Sequence, residues 1–138
     1  MLSSIEYVKK LRKSGLRPTK QRIKICEILF NSDETFHFSI NDLAKMLGNN
    51  HKEKIALATI YNTIHAFKRK GYLKEIAINS NQSYFDTNIS HHHHFFDENK
   101  KELTDLNNED IEPIKIKKTI SGKKIKSVEV LVRVESNN

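Results

Sequence analysis

The sequence predicts an α+β chain: an N-terminal winged helix, that is, a helix-turn-helix carrying a β-wing, over residues 1–88, followed by a small α/β domain over residues 89–138. Three observations predict it. Four stretches in the first part carry apolar residues at helical spacing, two strand-like segments around a turn signal follow the last of them directly, and the second part ends in a strongly alternating run.

Ser3 or Ser4 can cap a first helix with Ile5, Val8 and Leu11 on one face, and Gly15 is placed to end it. A second helix begins after Pro18, with Thr19 as the alternative start, and runs through Ile23, Cys26, Ile28, Leu29 and Phe30. In "SINDLAKMLG", Ser39 and Asp42 have capping-box-like spacing, Leu43, Met46 and Leu47 form the apolar stripe, and Gly48 is the stop. The fourth helix, in "ALATIYNTIHAFKRKG", puts Ile60, Ile64 and Phe67 on one side and Tyr61, His65 and Lys68 on another before Gly71 closes it. "YLKEIAI" and "QSYFDT", joined by Asn79, Ser80 and Asn81, make a hairpin, the wing. In the second part "HHHHFF" reads as a strand, "ELTDL" as another short segment, and a helix between about Glu109 and Ser121 is expected to cover the apolar face of "KIKSVEVLVRVE", where Val128, Val130, Val132 and Val134 alternate.

Charge narrows the partners. Residues 1–90 hold fifteen Lys/Arg against eight Asp/Glu, whereas residues 91–138 hold nine against nine, so the whole net charge of +7 lies in the first part. A chain rich in Lys, Ile and Asn can reflect base composition alone, but that bias would not confine the excess to one part, which favours a polyanion. In a helix-turn-helix the later helix enters the major groove of double-stranded DNA, and Tyr61 and Asn62 are best placed to reach base edges. Arg17, in a basic connector, suits a phosphate or minor-groove contact. For His65, Lys68 and Arg69 the plain alternative is a solvated helix face, and for His65 that alternative is the favoured one. No apolar run approaches the roughly 20 residues of a membrane span and the first residues lack a signal peptide, so a cytoplasmic protein is expected. The single cysteine, Cys26, excludes an internal disulfide and any zinc site of paired thiolates within one chain, and its helical position points to packing.

Four successive histidines, His91–His94, alternate faces if they lie on a strand, with His92 and His94 on one side and His91 and His93 on the other. Idle exposure accounts for many histidine pairs. Four in succession, beside Asp86, instead suit ligation of a metal or haem by nitrogen and oxygen, and therefore Fe(II), Mn(II) or Zn(II). A zinc- or iron-handling metalloprotein or hydrolase built on the same cluster, with Glu98 nearby, is the rival class, and a DNA-binding architectural protein with incidental histidines is a third. Against an enzyme, no nucleophile motif and no phosphate-cradling loop occur among the four glycines.

Taken together, "GLRPTKQRIKICEIL", "HFSINDLAKML", "ALATIYNTIHAF", "SYFD" and "HHHHFFDENKKELTDL", in this order from about Val8 to Val134, resemble the ferric uptake regulator family, and among its branches the iron response regulators that sense haem. The resemblance implies a homodimeric repressor of iron homeostasis genes on a two-fold operator, with a DNA-binding domain over 1–88 and a metal- or haem-sensing dimerisation domain over 89–138. It matches the base-reading aromatic to Tyr61, the minor-groove basic residue to Arg17, and the inter-domain metal site to His37, Asp86, His92 and His94. It also implies a second metal or haem site at His91, His93 and Glu112, incomplete here because the family's last histidine would fall near Val128, which cannot ligate. Family members with structural zinc carry paired cysteines where this chain has Asp97 and Lys100, so no structural zinc held by four cysteines is expected.

Overall fold

The computed structural model of the protein describes residues 4–50 and 54–137, with residues 49 and 50 as backbone alone. Its chain divides into two compact units, Met1–Ile89 and Ser90–Asn138. In the first, α1 (Ser4–Lys13), α2 (Lys20–Phe30), α3 (Ile40–Asn50) and α4 (Leu57–Lys70) precede the hairpin of β2 (Lys74–Asn79) and β3 (Gln82–Asp86). A two-residue strand absent from the sequence reading, β1 (His37–Phe38), joins the free edge of β3, so the sheet order is β1-β3-β2, antiparallel throughout.

Local chemistry explains most boundaries. Thr19 is the N-cap of α2, its side chain accepting the Arg22 N–H at 3.2 Å, so of the two expected starts the later one holds. Ser39 and Asp42 form the reciprocal capping box: each side chain accepts the other's backbone N–H at 3.0 Å. Gly71, at φ +91°, ends α4 in the left-handed conformation that side chains avoid. Two expectations need correction. Gly48 lies inside α3 rather than stopping it. On α1, Ile5 is 68% exposed, and the face turned inward is that of Tyr7 and Leu11, four residues apart. Ser3, one of the two caps considered for α1, lies outside the described residues.

These helices and the sheet close over one apolar core that includes Leu11, Ile25, Phe38, Leu43, Ile64, Phe67 and Phe85. Each such side chain contributes roughly 1.5–3 kcal/mol on burial. Cys26 belongs to the same core, and burial pushes its thiol up to about 12, with the nearby Lys10 opposing the shift. It is a packed thiol, as its spacing predicted.

In the second unit β4 (His93–Asp97) is central, antiparallel to β5 (Glu102–Leu106) and parallel to β6 (Leu131–Val134). The expected helix between Glu109 and Ser121 does not form. A single 3₁₀ turn, Asn108–Asp110, is followed by irregular chain up to β6. Pro113 withholds a helical N–H there, and Ile114 and Ile116 alternate with lysines at a period of two, leaving no helical stripe to bury. The alternating run "KIKSVEVLVRVE" is regular only over its last part, and Val134 is 37% exposed.

Candidate metal centre and nucleic-acid interface

Each unit carries its own group of nitrogen and oxygen donors. In the first, β1 places His37 directly opposite Asp86 across the antiparallel ladder. His37 Nε2 stands 3.2 Å from Asp86 Oδ2, and the other oxygen, Oδ1, accepts the Asn88 N–H at 2.8 Å. That turn fixes the carboxylate, which is 1% exposed. Without the two-residue strand, His37 would sit on an unanchored loop.

In the second unit the alternation expected of the histidine run is present. The rings of His92 and His94 lie 4.5 Å apart on one side, those of His91 and His93 5.2 Å apart on the other. The β4–β5 register sets Asp105 opposite His94, and one oxygen, Oδ1, lies 3.2 Å from His92 Nε2 and 3.5 Å from His94 Nε2. Asp105 was missed from the sequence. Its signal was available: a short turn after the histidine strand returns the chain antiparallel, which brings a carboxylate on the next strand beside the rings.

The donor chemistry fits a cation. His92 Nδ1 donates to the Ser90 carbonyl at 2.8 Å, so in the neutral ring Nε2 carries the lone pair. A lone pair and a carboxylate oxygen at 3.2 Å repel unless a proton or a metal ion lies between them. The ligand atoms of His92, His94 and Asp105 all fall within 4.8 Å of one another, as do those of His37 and Asp86.

The opposite face differs. His91 Nε2 donates to the Val128 carbonyl at 3.0 Å, and His93 Nδ1 accepts the Val130 N–H at 3.0 Å. Burial, ahead of the neighbouring imidazoles, holds His93 below the ordinary histidine value. Glu112 shares with these rings and Val128 a cavity of about 360 Å³. At the positions of the family's paired cysteines, Asp97 Oδ1 accepts the N–H groups of Asn99 and Lys100 at 2.9 and 3.0 Å, closing the β4–β5 turn by hydrogen bonds.

On α4, Tyr61 and Asn62 are exposed, as is Arg17 in the connector before α2. Tyr61 and Asn62 line a cavity of about 410 Å³ with Leu16, Arg22, His65 and Arg69, so two guanidinium groups flank the two residues singled out from sequence. Arg22 Nε is buried without a hydrogen-bond partner, although Nη1 donates to the Arg17 carbonyl at 3.0 Å. His65 is half-buried, its ring 4.1 Å from Tyr61 and edge-on to Phe85, which makes it a support for Tyr61 rather than an idle surface residue. Among the described residues no helix is long and apolar enough to cross a membrane.

Known proteins are similar to this chain in sequence and in fold. The ferric uptake regulation protein of Cupriavidus metallidurans is 36% identical over 82 residues, 59% of this chain and 56% of that protein, so the match spans little more than half of the relative's length. The peroxide operon regulator of Bacillus subtilis is 32% identical over 101 residues, 73% of this chain and 68% of that protein. The structure of the ferric uptake regulator from Pseudomonas aeruginosa with manganese superposes with a TM-score of 0.66 at 20% identity, covering 96% of this chain and 98% of that one, which establishes the shared α+β fold. The model of the ferric uptake regulator family matches residues 13–133, and the chain belongs to that family.

Proposed function

We propose that the chain is a metal-responsive, DNA-binding transcriptional regulator of the repressor type, acting as a homodimer on a two-fold operator of iron homeostasis genes. His37, Asp86, His92, His94 and Asp105 would together hold its signalling ion, Fe(II), with Mn(II) or Zn(II) able to take the same ligands. One observation carries this reading: residues 1–89 offer one imidazole and one carboxylate, residues 90–138 offer two imidazoles and one carboxylate, and neither group alone supplies the four to six donors a divalent cation takes.

A bound divalent cation supplies positive charge and fixed coordination directions at these residues. Sharing it would restrain residues 1–89 against residues 90–138. In a two-fold dimer that restraint governs the separation of the two α4 helices, and the grooves they must reach recur roughly every 34 Å. Tyr61 and Asn62 would then read bases, with Arg17, Arg22 and Arg69 on phosphates or in the minor groove. The free energy of the switch is the difference in cation affinity between DNA-competent and incompetent shapes.

Two carboxylates among five donors suit a bare cation; haem iron takes axial ligands such as histidine, cysteine, methionine or tyrosine. The haem-sensing branch is therefore the second reading, carried by the histidines alone. The relative from Bacillus subtilis is named for peroxide, and a peroxide arm belongs in the same test. A zinc hydrolase needs an open water position after three protein ligands, whereas here five side chains are available. The test is DNA-binding titration of one preparation in apo, Fe(II), Mn(II), Zn(II) and haem forms at fixed salt, the Fe(II) form also after hydrogen peroxide. Replacing both His92 and His94 with Ala should remove the ligand effect and leave weak nonspecific binding. A normal metal response in that double variant would overturn the assignment.

A further inference from the structure

We infer that His91 and His93 are the side-chain staple that holds β6 to β4, and not ligands of a second metal ion. The family resemblance implies a second site on His91, His93 and Glu112, and the hydrogen bonds of this chain withdraw His93 Nδ1 and His91 Nε2 from it. A backbone N–H can only donate and a carbonyl can only accept, so the Val130 N–H fixes His93 Nδ1 as an acceptor, and the Val128 carbonyl fixes His91 Nε2 as a donor. In its neutral form His93 then carries its proton on Nε2, the nitrogen not engaged with Val130. Presenting a lone pair there would move the proton to Nδ1, where it would meet the Val130 N–H. Val128, at the place of the missing last histidine, contributes only its carbonyl, which His91 already uses.

What the rings do instead follows from the ladder. Hydrogen bonds in a parallel pair are evenly spaced and slanted, each residue of one strand bonding to two on the other. The His94 N–H donates to the Val130 carbonyl at 3.1 Å, and by the same pattern the Val130 N–H would seek the carbonyl of residue 92 and the Val128 carbonyl the N–H of residue 92. Regular pairing begins only at His94 and Leu131. The imidazoles of His93 and His91 occupy those two places, extending the ladder by side chains where the backbones diverge. The far end of β6 is fastened in the same metal-free way: the Glu98 N–H donates to the Val134 carbonyl at 2.9 Å, and Asn99 Oδ1 accepts the Ser136 N–H at 2.6 Å.

The test uses the full chain, the His93→Ala and His91→Ala variants, and His93→Gln, whose side-chain oxygen can still accept the Val130 N–H. Amide hydrogen exchange is followed over residues 128–134 with and without a chelator, and Zn(II) and Mn(II) bound per chain are counted by equilibrium dialysis. Exchange at Val130 should be at least about tenfold faster in His93→Ala, largely restored in His93→Gln, and unchanged by the chelator. The ion count should be one per chain in the parent and equal in all three variants. A second ion lost in His91→Ala or His93→Ala, or exchange at Val130 that slows when Zn(II) is added and ignores His93→Ala, would overturn the staple. The count of one rests on the function proposed above, but the exchange rate does not: zero ions with exchange still governed by His93 sinks that proposal and leaves this one standing.

Discussion

The two units solve the burial problem differently. Residues 1–89 close a core of more than a dozen buried apolar side chains between four helices and a sheet. Residues 90–138, among those described, bury only Phe96 and Leu106 of their large apolar residues, and leave Ile114, Ile116, Ile120 and Ile125 40–74% exposed. The first unit has apolar surface enough to fold by itself; the second has a three-stranded sheet, unused isoleucines and no helix over them. Such a surface fits the homodimer proposed above better than a free-standing domain.

The most severe way to break this comparison is to separate the units. A fragment of residues 1–89 should unfold in a cooperative thermal transition followed by circular dichroism, and a fragment of residues 90–138 should show none at micromolar concentration. Next in size, Phe67→Ala removes a ring at 0% exposure that packs edge-on against Phe30 and Tyr72, and should cost about 3–5 kcal/mol in urea denaturation. Ile120→Ser, at a residue 74% exposed, should leave that transition within roughly 0.5 kcal/mol and instead shift the full chain from dimer toward monomer in light scattering. Equal effects of the two substitutions would erase the distinction. Thr19→Ala, which removes the cap of α2, should destabilise the first unit by about 1 kcal/mol.

The smallest effect concerns the wing. The Ser83 hydroxyl, donating at 2.6 Å, together with Lys68 at 3.4 Å, holds the Glu75 carboxyl below its ordinary value of 4.5. A lowered carboxyl stabilises the folded state above the unfolded value, and that contribution disappears as pH falls through the folded one. Melting temperatures measured from about pH 6 down to about 3 should therefore fall less steeply in Glu75→Gln than in the parent. Parallel curves would show that the carboxylate adds nothing to the wing.

How legible these regions were in the sequence follows the same divide. The helices of the first unit announced themselves through period and punctuation, as at Ser39 with Asp42 and at Gly71, because local capping chemistry and a one-sided core act together there. The facing of His92 with His94 was legible because strand alternation is obligatory. The β1 pairing of His37 with Asp86 joins segments far apart in the chain, which no short window contains, whereas Asp105 needed only the register of the β4–β5 hairpin. The failed helix after Asn108 has a different cause: isoleucines between lysines signal burial, and the sequence could not say that no part of the same unit would provide it. Arg22 escaped notice because only the fold brings it beside Tyr61 and Asn62.

Strand β4 assigns opposite duties to neighbouring residues of one kind: even-numbered rings turn to Asp105, odd-numbered rings to the backbone of Val128 and Val130. A slip of this strand by one residue against β5 and β6 would hand each ring the other's partners, whereas a slip of two would keep each ring on its own side. A substitution at one of these positions therefore costs one duty only, whereas a one-residue insertion or deletion that slips the strand costs both at once.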